Sequence, residues 1–123
     1  MSINSHKDLI VWQKSIKLCK LVYNLTGKFP KEEVYGLISQ MRRSAVSIPS
    51  NIAEGRNRGT RKDFSQFLRI ALGSASELET QIEIAKELSY LDYKDCVEIE
   101  SLLEEVSKMT MGLIKKFSAK PST

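Results

Sequence analysis

The chain has 123 residues, 41% of them hydrophobic and 28% charged, a balance that suits a single soluble domain spanning residues 1–123. Its soft ligands are two cysteines, Cys19 and Cys96, and one histidine, His6, in no metal-like spacing. That set is too small for a zinc centre, and the cysteines read as buried free thiols of a reducing compartment. No secretory signal and no run of about 18 apolar residues is present, so a cytoplasmic protein without a membrane span is expected.

The formal net charge is +4, and it is unevenly placed. From Arg42 to Lys62 there are six basic residues and one acid, Glu54; from Glu77 to Glu105 there are ten acids and two lysines. A chain polarised in this way can steer or pair with charged partners.

Four helices are predicted and no strands. The first covers about 8–26, with Leu9, Trp12, Ile16, Cys19, Tyr23 and Thr26 at spacings of three and four, widened by Leu18, Val22 and Leu25. Gly27 ends it and Phe29-Pro30 turns the chain. The second covers about 31–55, opening on Glu32 and Glu33, with Leu37, Met41, Ala45, Ile48 and Ile52 on its apolar face. Pro49 lies inside that pattern and predicts a bend or break near Ser44–Pro49, but not an end to the helical course, because proline removes an i→i−4 hydrogen bond.

Arg56-Asn57-Arg58-Gly59 forms a hinge. The third helix covers about 60–90, with Thr60 and Asp63 as a capping pair and a seam from Phe64 to Leu88. The fourth covers about 92–119, capped by Asp92, with Val97, Ile99, Leu102, Leu103, Val106, Met109, Leu113 and Phe117 inward. Short connections between long helices make neighbours antiparallel, so the expected fold is an all-α, up-down-up-down four-helix bundle. Taking the hinge centre at Arg58, facing residues have numbers summing to about 117, which sets the small residues Ser44–Ser47 against Ala71–Ala75.

Arg43, Ser47, Asn51 and Glu54 share one helix face, answered on the third helix by Gln66, Arg69, Ser74 and Glu77. The stripe reads as a structural polar network of Arg43, Ser47, Asn51, Glu54, Gln66 and Glu77 that fixes register. No Ser–His or Cys–His pair is available as a nucleophile and base, and Glu54 with Arg43 is a weak candidate for acid–base work. No catalytic residue and no cofactor are expected. Arg42, Arg56, Arg58, Arg61, Lys62 and Arg69 are candidate phosphate contacts, helped by the amides that open the third helix. Arg56–Lys62 contains no aromatic to stack a base, so binding of this kind reads backbone charge and not sequence.

Several segments resemble a known family. They are Asp8-Leu9-Ile10-Val11-Trp12-Gln13, then Phe29-Pro30 with Glu33-Val34-Tyr35-Gly36-Leu37, then Gln40 and Arg42-Arg43-Ser44 through Ser50-Asn51-Ile52-Ala53-Glu54-Gly55. Phe67-Leu68, Ile70-Ala71, Gly73-Ser74 and Glu77-Leu78-Glu79 complete the set. In this order and spacing they look like the 23S rRNA-intervening-sequence proteins, also known as four-helix-bundle proteins. The resemblance implies a small bacterial bundle without catalytic residues. It further implies kinship with accessory variability determinant proteins, which form homopentameric barrels that bind nucleic acid and a reverse transcriptase. A ring-like homo-oligomer with RNA or DNA, or a protein such as a reverse transcriptase, as partner follows as an expectation. The competing expectation is a protein-interaction scaffold whose charges serve assembly and touch no nucleic acid.

Overall fold

Glycine, proline and short capping side chains set where each helix starts and stops. In the computed structural model, which describes residues 5–118, four helices follow one another: α1 (Ile10–Thr26), α2 (Leu37–Arg58), α3 (Arg61–Glu87) and α4 (Tyr93–Ser118). Two single-turn 3-10 helices, His6–Asp8 and Lys31–Glu33, precede α1 and α2, and no strand occurs among the described residues. Each helix packs on its neighbours in chain order, and α1 closes the layer against α4. This is a four-helix bundle of up-down-up-down topology.

α2 starts at Leu37, later than the sequence pattern suggests. Gly36 at φ −112°, ψ −113° interrupts the helical course, so Lys31–Glu33 forms only one tight turn. The Glu33 Oε1 atom then accepts the first α2 amide, Leu37 N–H, at 3.2 Å. At its far end α2 runs on through Arg56-Asn57-Arg58 and stops at Gly59, whose left-handed φ of +89° suits glycine. Thr60 caps α3 by accepting the Asp63 amide at 3.1 Å, and Asp92 caps α4 by accepting the Asp95 amide at 2.8 Å. α3 ends in a Schellman turn: Ser89 sits at φ 62° and Tyr90 N–H reaches back to the Ala85 carbonyl at 2.9 Å.

Pro49 does not end α2, which is assigned as continuously helical from Leu37 to Arg58. Pro49 is buried among Ala45, Ile48 and Ile52, and its place inside the helix leaves the Ala45 carbonyl without an i+4 donor.

The core is built from Leu18 and Val22 of α1, Met41, Ala45, Ile48 and Ile52 of α2, Leu68, Ala71, Leu78 and Ile82 of α3, and Ile99 and Val106 of α4, all essentially excluded from solvent. Each fully buried Leu or Ile contributes roughly 1.5–3 kcal/mol of transfer free energy. The inward face of α1 follows the widening residues of the expected stripe: Leu18, Val22 and Leu25 are buried with Val11, Ser15 and Thr26, while the expected Ile16 and Tyr23 are 42% and 44% exposed. α1 carries apolar residues on more than one face, so spacing alone does not choose between stripes. On α4, Cys96, Thr110 and Ile114 are buried where Val97 is not.

The α2–α3 register is one helical turn from the expected one. Ser47 and Ser74 hydroxyls bond at 2.8 Å, so facing residues sum to about 121. The turn is centred on Gly59–Thr60 because α2 continues past Gly55. Gly55 is buried against α3, where an added Cβ would lie 2.5 Å from Phe67 Cβ. There is no room for a side chain at that position.

Candidate nucleic-acid interface

An antiparallel bundle brings the α2–α3 turn, the start of α1 and the end of α4 to one end of the molecule. Arg56 and Arg58 close α2, Arg61 and Lys62 open α3, and Lys115 and Lys116 close α4 at that same end. The acids of Glu77–Glu105 occupy the second half of α3 and the first half of α4, toward the opposite end. Charge polarity along the sequence thus becomes charge polarity along the bundle axis.

The six residues nominated for phosphate contact fall into three environments. Arg58, Lys62 and, half-buried, Arg56 lie at the basic end. Arg58 pairs with Glu54 at 3.1 Å along α2 and stands over the Phe67 ring at 5.1 Å. That exposed i,i+4 pair holds Arg58 only weakly. Arg61 and Arg69 are drawn to the end of α4. Arg61 Nη2 donates to the Lys116 carbonyl at 2.6 Å and its guanidinium covers the Phe117 ring at 5.1 Å. Arg69 Nη2 donates to the Ser118 hydroxyl at 3.2 Å. Arg61 therefore sets a charged donor on a carbonyl of the last described turn of α4, where a cation complements the helix dipole. Arg42 lies on the other half of α2. Its Nε donates to buried Thr26 Oγ1 at 2.9 Å, its Nη2 to the Tyr23 carbonyl at 3.3 Å, and its guanidinium lies 4.5 Å from the Tyr23 ring.

The structural polar network divides as well. Ser47, Ser74 and Asn51 are joined: Asn51 Nδ2 donates to the Ser47 carbonyl at 2.8 Å and to its hydroxyl at 3.0 Å. Arg43 and Glu77 are exposed side chains lining one groove with Gln40, Ser44 and Gln81. Glu54 and Gln66 are exposed and lie toward the hinge, away from Arg43. Of two adjacent arginines, Arg42 is the one that cross-links helices, because it faces α1 while Arg43 faces the α2–α3 groove. Glu54 and Arg43 are about three turns apart on α2, and Glu54 pairs with Arg58, so they form no acid–base couple.

Sequence reasoning did not place Lys115 and Lys116 with the hinge. Antiparallel pairing of α3 with α4 was the available signal, since it sets Phe64 against Phe117, ring centroids 4.8 Å apart. Beneath the basic rim a cavity of about 460 Å³ is lined by Leu9, Phe64 and Phe117 with Arg56, Arg61 and Lys116.

Burial raises the Cys19 thiol to about 11 and pushes the Cys96 thiol upward as well, so neither is an activated nucleophile. The Glu104 carboxyl is held down, and the Lys108 ammonium held up, by their mutual hydrogen bond at 2.8 Å. Among the described residues no group of three or more His, Cys, Asp or Glu is placed to hold a metal ion. No helix among them is long and apolar enough to cross a membrane.

A solved structure of a protein of unknown function from the S23 ribosomal protein family of Bacteroides thetaiotaomicron is similar to this chain. The two share 27% identity over 86% of this chain and 99% of that one, with a TM-score of 0.77. No curated protein matches. The family model described as 23S rRNA-intervening sequence protein matches residues 7–112, which include all of the α2–α3 hinge and most of α4. With that match spanning most of a four-helix bundle of the same shape, the chain belongs to the 23S rRNA-intervening sequence protein family.

Proposed function

We propose that this chain is a non-enzymatic, nucleic-acid-associated accessory protein that meets phosphate backbones with the basic end of its bundle. The observation that supports this reading is the convergence of Arg56, Arg58, Lys62, Lys115 and Lys116 from three helices at one end. Arg61 and Arg69 act behind them as positioning residues that fix the end of α4. Because the contact is with charge, affinity falls steeply with salt and depends little on sequence. The family's link to intervening sequences of 23S rRNA makes RNA the first ligand to try. Filter binding of single-stranded RNA, duplex RNA and duplex DNA across a salt series tests it. A log–log slope of about −3 to −4, as four or so neutralised phosphates give, supports the reading. No retention at low salt refutes it.

A second reading is a protein-interaction scaffold. The groove between α3 and α4 is lined by Glu79, Glu83, Glu100 and Glu104, and Tyr35 and Tyr93 are 97% and 85% exposed. In this reading acidic and basic surfaces of successive copies pair in a homo-oligomer, a pentamer by family likeness, or dock a partner such as a reverse transcriptase. Replacing Arg58 and Lys62 by Ser separates the two. RNA binding lost with the assembly intact favours the first reading, and a dissociated assembly favours the second.

A further inference from the structure

The groove between α2 and α3 sits away from the basic end, and its walls are polar where most inter-helix grooves of this bundle are partly apolar. It exists because Ser44, Ser47 and Ser74 are too small to fill the space between the two helices. The cavity measures about 370 Å³ and is lined by Gln40, Arg43, Ser44, Ser47, Ser74, Glu77 and Gln81.

Four features of this lining specify a ligand. Gln81 is only 9% exposed, and its Oε1 atom is buried with no hydrogen-bond partner among the described residues. A buried amide oxygen of this kind calls for a donor, and leaving it unmet costs free energy. Glu77 stands one turn before Gln81 on α3 and supplies a carboxylate to the same lining. Across the groove Arg43 supplies a guanidinium, and no ion pair joins Arg43 to Glu77 among the described residues. The Ser47 and Ser74 hydroxyls bond each other at 2.8 Å, and either can be the donor, so the pair can turn toward a donor or an acceptor.

We propose that this groove binds a small zwitterion of the α-amino acid class. Its ammonium has three donors, for the Glu77 carboxylate, a serine hydroxyl and, once the Gln81 side chain turns toward the groove, the Gln81 Oε1. Its carboxylate meets Arg43, which presents a planar fork of N–H groups suited to it. Phosphate is disfavoured by Glu77, and a metal ion is disfavoured because Glu77 is the only carboxylate lining the groove among the described residues. An apolar ligand would leave the Gln81 oxygen and both charges unmet.

Amide chemical-shift mapping on the full chain tests this, with thermal melts recorded alongside. The probes are free amino acids at millimolar concentration, the corresponding amines without the carboxylate, and the corresponding carboxylates without the amine. The expected result is shifts centred on Ser44, Ser47, Ser74 and Gln81 with at least one amino acid, and a rise in melting temperature that grows with its concentration. Glu77→Gln and Gln81→Leu are each expected to weaken that binding about tenfold or more, as the loss of a charge-assisted or buried hydrogen bond does. Arg43→Gln, at an exposed position, gives the same reading if Gln81→Leu fails to fold. Four results overturn the proposal: no shift with any amino acid; amines alone binding as tightly as the zwitterion; shifts confined to the basic end; or binding unchanged in folded Glu77→Gln and Arg43→Gln.

Discussion

The Cys19 thiol donates to the Ala45 carbonyl at 3.1 Å, and that carbonyl is the one Pro49 leaves without its helical donor. A defect in one helix is thus met by a side chain of its neighbour. This explains how a proline is tolerated in the middle of α2, and why α1 carries a half-buried thiol at that height. Cys19→Ala should destabilise the fold by about 1–2 kcal/mol, chiefly by leaving a buried acceptor unmet. In a Pro49→Ala background, where residue 49 has an N–H again, the same change should cost less by about 0.5–1 kcal/mol. Urea unfolding of the four proteins of this cycle reads the coupling directly, and zero coupling contradicts the account.

Gly55 packs directly against Phe67 and Phe64 of α3. An added Cβ would stand 2.5 Å from Phe67 Cβ and 3.3 Å from the Phe64 ring, and neither neighbour can give way without moving a helix or the core. Gly55→Ala is therefore expected to destabilise by roughly 1–3 kcal/mol despite the higher helix propensity of alanine. Gly73→Ala is the matched control, since nothing lies within 4 Å of a Cβ there. It should raise the unfolding free energy read from urea titration by up to about 1 kcal/mol.

Much of this architecture is written plainly in the sequence. Leu37, Met41, Ala45, Ile48 and Ile52 repeat at helical spacing, and all five are buried. Thr60 and Asp92 precede α3 and α4 as caps of recognisable type, and both accept the amide three residues on. What spacing does not carry is rotation and register. Arg42 and Arg43 are adjacent and chemically alike, yet one hydrogen-bonds α1 and the other faces α3. About 100° of helical turn separates neighbouring residues, and only the position of α1 decides which points where. The register slipped by a turn for a related reason: a helix that continues three residues past Gly55 moves the centre of its connection. Lys115 and Lys116 joined the hinge only through the antiparallel return of α4, a long-range effect no local motif records.

Arg61 and Lys62 are neighbours with different tasks, and stability separates them. Arg61→Ser removes the 2.6 Å bond to the Lys116 carbonyl and the cover over Phe117, and should cost roughly 0.5–1.5 kcal/mol. Lys62→Ser, at an exposed site, should stay within about 0.5 kcal/mol of the parent protein. Both should weaken RNA retention, Lys62→Ser by a direct loss of one phosphate contact that makes the salt slope shallower by about one. Arg61→Ser reaching the same slope with an unmoved urea midpoint would remove the capping role assigned to it.

The two loops at the acidic end are tied by one carboxylate. Glu33 Oε1 accepts the first α2 amide at 3.2 Å, and Glu33 Oε2 accepts the Tyr90 hydroxyl at 3.0 Å, while the Tyr90 ring packs on Phe29 with centroids 5.2 Å apart. The hydrogen bond to Glu33 is the main reason the Tyr90 phenol is raised above its ordinary value, with burial and the nearby carboxylates adding to it. The half-buried Cys19 thiol and the buried Cys96 thiol are raised too. All three are neutral acids whose folded values exceed their unfolded ones. Their contribution to stability is complete at neutral pH, below the unfolded values, and is lost as pH rises through the folded values. Stability should therefore decline on the alkaline side, from about pH 9 upward for the thiols and from about pH 10 upward for Tyr90. Urea midpoints measured between pH 7 and pH 11 test this. Tyr90→Phe should lower the midpoint at pH 7, where the Glu33 bond is intact, and should flatten the loss above pH 10. The phenolate absorbance that the substitution removes should belong to a group ionising above the ordinary tyrosine range. An unchanged alkaline profile in Tyr90→Phe would show that the tie between the two loops does not depend on the phenol's proton.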